Sequence, residues 1–269
     1  MIETLRAMVE ALALPLTDPA SRTFAPALIV AAILALAWHK IHRLPSGNSG
    51  ALGLGLWRHP SSLLDLQLLI ARRLLSIIGV IPVLGGAWWL ATRISTTLDG
   101  LFGIPTLHAG PWVGVAYTLV LFLFWDLSRF IVHLALHKVP WLWSFHQIHH
   151  SAEVLTPLTF HRTHPIESLV YSLRGVLTTG SVAGVAFWLY RGTAVEITLL
   201  GVHSVGLILN ALTGNLRHSH LWIRFPAAME RWLISPAQHQ MHHALAAAHH
   251  NANLGTWLAC WDRMAGTLQ

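Results

Sequence analysis

Apolar residues occur in long runs separated by short polar stretches, and these runs define the predicted elements. Five runs are long enough, or nearly so, to cross a bilayer as helices: 26–38, 74–91, 111–137, 166–190 and 194–213. Residues 1–23 predict a short amphipathic surface helix, and residues 61–73 predict a segment that lies along the membrane interface. The stretch 92–110 is a predicted polar loop, and residues 214–269 are too polar to cross.

This pattern predicts an all-α membrane bundle of four or five transmembrane helices with a helical cap. Residues 1–110 would form N-terminal membrane helices and the interfacial segment. Residues 111–269 would form a second unit, with further transmembrane helices and the cap. Composition agrees, because 54% of the residues are hydrophobic and only 10% are charged. Thirteen tryptophans, mostly near the ends of the apolar runs, fit interfacial anchors.

Basic residues favour one side of the predicted bundle. Eleven Lys and Arg fall in the segments 39–73, 138–165 and 214–269, which the five spans place on one side, and four fall on the other. The richer side is expected to be cytoplasmic. The N-terminus lacks the features of a signal peptide, so we expect a multi-pass protein of the cell inner membrane. The net charge of +6 does not indicate nucleic-acid binding, because its basic residues are scattered around the spans.

Histidines gather where the apolar runs end. His133 and His137 are one helical turn apart, and the pattern His-x-x-His-His occurs at 146–150 and again at 239–243. With His218, the candidate metal ligands number nine: His133, His137, His146, His149, His150, His218, His239, His242 and His243. One tetrahedral ion cannot use nine imidazoles, so the count predicts two metal ions. Both clusters fall on the predicted cytoplasmic side. Pro236 suits the first turn of a new helix with Ser235 as its cap, which would place the second cluster on the opening turns of that helix.

Two charged residues share a helix face with the first histidine pair. Asp126 and Arg129 precede His133 at helical spacing, and charged side chains within a span usually face the bundle interior. They could pair with each other to hold helices together, or they could orient the ligating imidazoles. The single cysteine, Cys260, excludes an intrachain disulfide and a metal site built on several cysteines.

The donor set leaves several metals open, because imidazole binds zinc, copper, iron and nickel. Hydrolytic zinc sites usually include a carboxylate or a cysteine, and the clusters contain neither. The sequence therefore favours iron and oxygen chemistry on apolar substrates. A zinc-dependent membrane lipid hydrolase, a metal transporter and a purely structural membrane protein are the alternatives.

Taken together, the motifs resemble those of the fatty acid hydroxylase / sterol desaturase superfamily of membrane diiron enzymes. The resemblance rests on the spaced histidine pair, the two His-x-x-His-His patterns and several shorter matches. The shorter matches are His150-Ser151 with Glu153, 164–167, 215–219, Ser235-Pro236, 253–255 and 261–267. It covers about residues 110–269. His161 and His220 are additional to the usual pattern.

The resemblance implies an oxidoreductase that uses two iron ions and dioxygen to hydroxylate or desaturate a C–H bond of a lipid. Sterols, fatty acyl lipids, ether lipids and carotenoids all remain candidate substrates, entering laterally from the membrane. No cytochrome b5 domain is fused to the chain, so electrons would come from an external donor of ferredoxin or cytochrome b5 type with its reductase.

Further residues receive roles from their motifs or positions. Those expected to hydrogen-bond the ligating imidazoles are Asp126, Arg129, Glu153, His164, Asn215 and Asp262. The alternatives are a helix anchor or a metal ligand for His164 and a surface position for Glu153 and Asp262. His249 and His250 are candidates for an additional ligand. His203 is expected to be a structural histidine within the fifth span, and His39, His42 and His59 to face lipid headgroups.

Overall fold

A computed structural model describes residue 10 and residues 13–44, 50, 52–77, 86–105, 107–191, 198–199, 202–246 and 248–269. Within these residues the regular secondary structure is helical apart from one short pair of strands and an isolated β-bridge between Leu233 and Leu258. The longer helices are α1 Ala25–Ile41, α2 Pro60–Ile77, α3 Gly86–Phe102, α4 Val113–Lys138, α5 Pro140–His150 and α6 Pro165–Tyr190. Shorter α-helices follow: α7 Ser204–Leu209, α8 Ala227–Glu230, α9 Pro236–His242 and α10 Cys260–Ala265. Leu56–Arg58 and Pro157–His161 form 3₁₀ turns.

Among the described residues, α4 and α6 are the two helices long and apolar enough to cross a membrane. They correspond to the predicted runs 111–137 and 166–190. Apolar side chains such as Phe124 on α4 and Leu177 on α6 are more than half exposed, which is costly in water and favourable in lipid. These two helices suggest a membrane protein. The first predicted run is also helical, as the shorter α1.

Helix α3 occupies much of the predicted loop, so the expectation of a loop at 92–102 is wrong. Its packing against α6 explains the difference. Gly180 and Gly184 lie one turn apart on α6, and a methyl group on Gly184 would lie 2.7 Å from Cβ of Ile94 and 2.9 Å from O of Ala91. Small residues at this spacing let two helix backbones approach closely. Part of the predicted span 74–91, residues 78–85, lies outside the described residues.

A continuous fifth span over 194–213 is also wrong for the residues described there. Strands β1 Thr198–Leu199 and β2 Val202–His203 pair antiparallel, and α7 begins only at Ser204. His203 caps the new helix, because its Nδ1 accepts a hydrogen bond from the Gly206 amide. Its Nε2 donates to O of Thr118 on α4, so His203 is a satisfied structural histidine. A π-helical turn, Asn210–Gly214, follows.

A buried ion pair attaches α2 to the segment after α5. Arg162 pairs with Asp65 and also donates from Nη2 to O of Ser61 at 2.6 Å. Thr159 donates to the other oxygen of Asp65 at 2.8 Å. Because both charges are buried and fully hydrogen-bonded, the pair fixes the 3₁₀ turn Pro157–His161 beside the histidines.

Candidate metal centre

The end of α4 and the whole of α5 carry the first five of the nine candidate ligands. Only Val139 separates the two helices, and Pro140 occupies the first turn of α5, where its missing N–H leaves no donor unsatisfied. The sharp corner turns His146 and His150 back towards His133 and His137. Ring centroids of His137 and His150 are 4.8 Å apart.

Helix α9 presents the second His-x-x-His-His pattern. The Ser235 hydroxyl oxygen caps this helix by accepting from the Gln238 amide, and Oε1 of Gln238 accepts from the Ser235 amide. Pro236 is the first residue of the helix. The cap at Ser235 and the helix start at Pro236 were both expected from the sequence. His218 joins from the loop that follows the π-helical turn.

The structure brings all nine predicted histidines together. One group, hereafter the five-histidine group, contains His133, His137, His146, His150 and His242, with one ring nitrogen of each within 4.8 Å of the others. The other contains His149, His218 and His243, and Nε2 of His239 lies 3.2 Å from Nε2 of His218. We call these four the four-histidine group. The rings of His150 and His243 stack at 4.5 Å and connect the two groups.

Hydrogen bonds to backbone carbonyls fix the ring tautomers of two members. His133 donates from Nδ1 to O of Leu254 at 2.7 Å, and His242 donates from Nδ1 to O of Ala252 at 2.9 Å. A carbonyl oxygen only accepts, so in the neutral rings the Nε2 atoms are unprotonated. Those two Nε2 atoms nevertheless lie 3.2 Å apart. Two facing lone pairs repel at this distance, and a bound cation would remove the repulsion.

Burial keeps these rings neutral. It lowers the pKa of His149 to about 3, and it also lowers the pKa values of His146, His218, His242 and His243, with neighbouring histidines as a further cause. Neutral imidazoles are the form that binds a metal ion. Several ring nitrogens, including Nε2 of His137, have no hydrogen-bond partner in the described chain. Both groups could therefore hold metal ions.

One partner of the imidazoles was not assigned from the sequence. Glu167, on the first turn of α6, accepts from Nδ1 of His146 at 3.0 Å, and both side chains are 2% exposed. The motif 164–167 was part of the family resemblance, but only the folded chain shows which ring the carboxylate meets. A carboxylate of this kind orients a ligating imidazole and raises its basicity.

Asp126 acts on the backbone and does not contact an imidazole. It accepts from the amides of Trp257 and Leu258 and from Nε1 of Trp261, all within 3.1 Å. Its hydrogen bonds are therefore with this segment rather than with a ligating ring. Its effect is indirect, because it anchors the C-terminal segment whose Leu254 carbonyl meets His133.

Asp262 secures the same segment from the other end. It accepts from the amides of Leu254 and Gly255 at 2.7 and 2.6 Å, and from the hydroxyl of Thr267 at 2.6 Å. It too lies one step away from the imidazoles rather than against them. The two buried carboxylates thus hold the loop that sets the His133 tautomer.

The other residues expected to bond imidazoles contact different partners in the structure. Arg129 donates to the hydroxyl of Thr256, and His164 caps α6 by accepting from the Ile166 amide. Glu153 is largely exposed, and its carboxylate lies 3.9 Å from His59. Arg129, His164 and Glu153 thus each place their polar group towards something other than a ligating ring. Asn215 is buried, and its amide nitrogen has no hydrogen-bond partner in the described chain.

Neither candidate for an additional ligand joins a group. His249 bonds through Nδ1 to Oε1 of Gln269 at 2.7 Å, and the ring of His250 is 6.4 Å from that of His150. The extra histidines are structural, since His161 contacts the Thr23 hydroxyl and His220 donates to O of Gly50.

Comparison with known proteins agrees with this geometry. The profile of the fatty acid hydroxylase family matches residues 118–267, more than half of the chain. The chain belongs to the fatty acid hydroxylase family. The matched range contains both histidine groups and the carboxylates Asp126, Glu167 and Asp262.

The names of three relatives of this family member refer to three different lipids. The chain is 27% identical to cholesterol 25-hydroxylase of Rattus norvegicus over 58% of its length and 47% of the relative. Identity is 25% to alkylglycerol monooxygenase of Danio rerio (58% and 31%) and 27% to ornithine lipid hydroxylase OlsE of Rhizobium tropici (53% and 38%). The chain thus spans about half or less of the length of these relatives. No solved structure matches it significantly.

The family is named for fatty acid hydroxylation, and the relatives named above are hydroxylases and a monooxygenase. A cavity of about 480 Å³ opens beside the histidine groups of this family member. Its lining includes the candidate ligands His133, His146 and His218. It also includes other side chains of α4 and α6, among them Trp125, Tyr171 and Val176. Its volume lies in the range of ligand pockets.

Proposed function

We propose that the chain is a membrane-bound lipid hydroxylase whose two histidine groups each hold one iron ion. The observation that carries the proposal is the set of buried, neutral imidazoles whose Nε2 atoms converge from α4, α5 and α9. The family supports iron as the metal, because the resemblance is to diiron enzymes. The lipid substrate follows from the family and from the names of its relatives.

The distances between ring nitrogens fit shared metal ions. Nitrogen ligands about 2.1 Å from one ion lie about 3.0 to 3.4 Å from each other, depending on the geometry. Nε2 of His133 is 3.2 Å from Nε2 of both His146 and His242, and Nε2 of His218 is 3.1 Å from Nε2 of His243. The five-histidine group would hold one iron and the four-histidine group the other.

The irons would supply activation of dioxygen and oxidation of an unreactive C–H bond, with electrons from an external donor of ferredoxin or cytochrome b5 type. The chain's own residues bind and position. Glu167 and the Leu254 carbonyl hold the rings of His146 and His133. The cavity wall formed by α4 and α6 would bind an alkyl chain, exclude water and present the C–H bond to the histidine groups.

Hydroxylation is favoured over desaturation, because the relatives named above are hydroxylases or monooxygenases. The names of these relatives refer to different lipids, so none of these lipids can be assigned to this chain as its substrate. We propose that α4 and α6 cross the membrane, with the ends that carry His133 and Glu167 on the cytoplasmic side. A lipid would then reach the cavity from between these helices.

Cells that produce the full chain, grown under ¹⁸O₂, provide the test. We expect a lipid that gains one ¹⁸O atom, no such product under anaerobic growth, and none with His149→Ala. His108→Ala is the matched control, because His108 is exposed and lies outside both groups. A product formed without oxygen would identify a hydrolase instead, and full activity of His149→Ala would contradict the ligand assignment.

A further inference from the structure

The cavity beside the histidine groups carries a large excess of positive charge. Its lining includes five arginines, Arg22, Arg72, Arg129, Arg174 and Arg217, and a single carboxylate, Glu167. An apolar substrate alone gives no reason for so many buried guanidinium groups, because burying a charge without a partner is costly.

Arg217 is the most deeply buried of these arginines and has no ion-pair partner in the described chain. It directly precedes His218 of the four-histidine group. Its side chain is 3% exposed, and Nε and Nη2 have no hydrogen-bond partner in the described chain. The guanidinium lies over the ring of Trp257 at 4.0 Å, and that of Arg22 lies 5.0 Å from the same ring. Two like charges therefore converge on one indole. Cation–π contacts of about 1 to 2 kcal/mol each do not compensate the buried charge of Arg217 and the half-buried charge of Arg22.

The carboxylates close to these arginines hydrogen-bond other partners. Asp126 accepts three hydrogen bonds from the C-terminal segment, and Glu167 accepts from His146 through Oε1, while its Oε2 has no hydrogen-bond partner in the described chain. Within the described residues, no carboxylate lies within 4.0 Å of a guanidinium nitrogen of Arg22, Arg129 or Arg217. Burial and the neighbouring Arg129 and Arg217 lower the pKa of Arg22, and the carboxylate of Asp126 acts in the opposite direction.

We propose that Arg22 and Arg217, with Arg129 beside them, bind an oxyanion, and that this oxyanion is the head group of the lipid substrate. A carboxylate or a phosphate fits the planar donor fork of arginine. The alkyl part would extend along the wall formed by Trp125, Gly175 and Val176. The substrate would be an acidic lipid rather than a neutral sterol. The identification of the bound lipid as the substrate rests on the proposed function. The anion-binding site itself is inferred from the arginines alone.

Lipid binding tests the site without turnover. Full-length protein in an uncharged detergent is titrated with palmitate, with phosphatidic acid and with the neutral partners hexadecanol and diacylglycerol, and binding is followed by tryptophan fluorescence. We expect one or both anionic lipids to bind at least about tenfold more tightly than the neutral partner, and this preference to weaken with added salt. Inorganic phosphate alone should compete only weakly, because it lacks the alkyl chain. Strong competition by phosphate would instead indicate a site for the free anion and would contradict a lipid head group.

Variants locate the site. Arg217→Gln and Arg22→Gln should each remove most of the preference for the anionic lipid, and Arg217→Lys should retain part of it. Arg231→Gln, which removes an exposed charge outside the cavity, is the matched control and should bind as the unmodified protein does. Should Arg217→Gln fail to fold, Arg22→Gln and the comparison of anionic with neutral lipids on the unmodified chain still decide. Equal affinity for palmitate, phosphatidic acid and their neutral partners would overturn the proposal.

The two proposals fail separately. Loss of iron binding or of oxygen-dependent turnover would refute the hydroxylase and leave the lipid titration intact. A hydroxylase that holds two irons but binds neutral and acidic lipids equally would refute only the anion site.

Discussion

Nδ1 of His146 lies 3.0 Å from Oε1 of Glu167, and neither side chain is more than 2% exposed. The contact joins α5, which carries three of the nine histidines, to the first turn of the apolar helix α6. With a metal on Nε2, the ring proton must lie on Nδ1, where it donates to the carboxylate. The position of a candidate ligand is therefore coupled to the position of a candidate membrane helix.

Glu167→Gln tests this coupling. The substitution keeps the shape of the side chain but removes the negative charge that holds His146, so iron affinity should fall by about 10- to 100-fold. Competition with a graded series of chelators, followed by iron analysis, measures the change. Glu153→Gln is the matched control, since Glu153 is exposed and remote from the rings. Equal iron retention in both variants would show that the carboxylate has no such role.

Asp126→Asn should destabilise the protein. One oxygen is replaced by an amide nitrogen that faces donors, so at least one of the three bonds to the C-terminal segment is lost. Loss of a hydrogen bond to a buried charge costs about 2 to 3 kcal/mol, which should lower Tm in detergent by about 5 to 10 °C. Asp99→Asn serves as control, because its pair with Arg191 is partly exposed and contributes less than about 1 kcal/mol. Similar Tm values for the two variants would contradict the anchoring role.

Gly255→Ala should disturb the histidines from a distance. An added methyl group would lie 2.6 Å from Oδ2 of Asp262 and 2.9 Å from O of Leu258, so the segment must shift. The Leu254 carbonyl would then move away from His133. We expect reduced iron content in protein that still inserts into membranes, with Gly110→Ala, which meets nothing within 4 Å, as control. Normal iron content in Gly255→Ala would rule out this route from loop to ring.

Gly184→Ala should loosen the contact between α3 and α6. The methyl group would meet Cβ of Ile94 and O of Ala91 at less than 3.0 Å, and the helices must separate to admit it. A loss of about 1 to 3 kcal/mol is expected, measured as a lower Tm. Gly100→Ala, on α3 in open space, should be neutral or slightly stabilising because alanine favours a helix. Equal effects of the two substitutions would contradict close packing at Gly184.

Local patterns were enough to predict much of the site. The histidine spacings, the cap at Ser235 and the helix start at Pro236 are properties of neighbouring residues, and the structure has them as expected. The two long apolar helices follow from hydropathy alone. The convergence of nine histidines could be inferred because the same spacing recurs about a hundred residues apart.

Contacts between distant segments could not be predicted in the same way. The partners of His133 and His242 are backbone carbonyls. Every residue has one, so the sequence does not show which carbonyl accepts the bond. Asp126 was correctly expected to be buried, but its partners are amides of a segment more than a hundred residues later. Within an otherwise apolar run, a new helix begins at Ser204 and is capped by the side chain of His203. These contacts between segments depend on packing and on hydrogen bonds to the backbone.

The number and identity of the bound metal ions test the account most directly. Full-length protein, purified after growth with ample iron, is analysed for metals by elemental mass spectrometry against protein concentration from amino-acid analysis. We expect two iron atoms per polypeptide, and near one in a variant that combines His218→Ala with His239→Ala in the four-histidine group. Fewer than two metal atoms in fully loaded material, or zinc in place of iron, would contradict it.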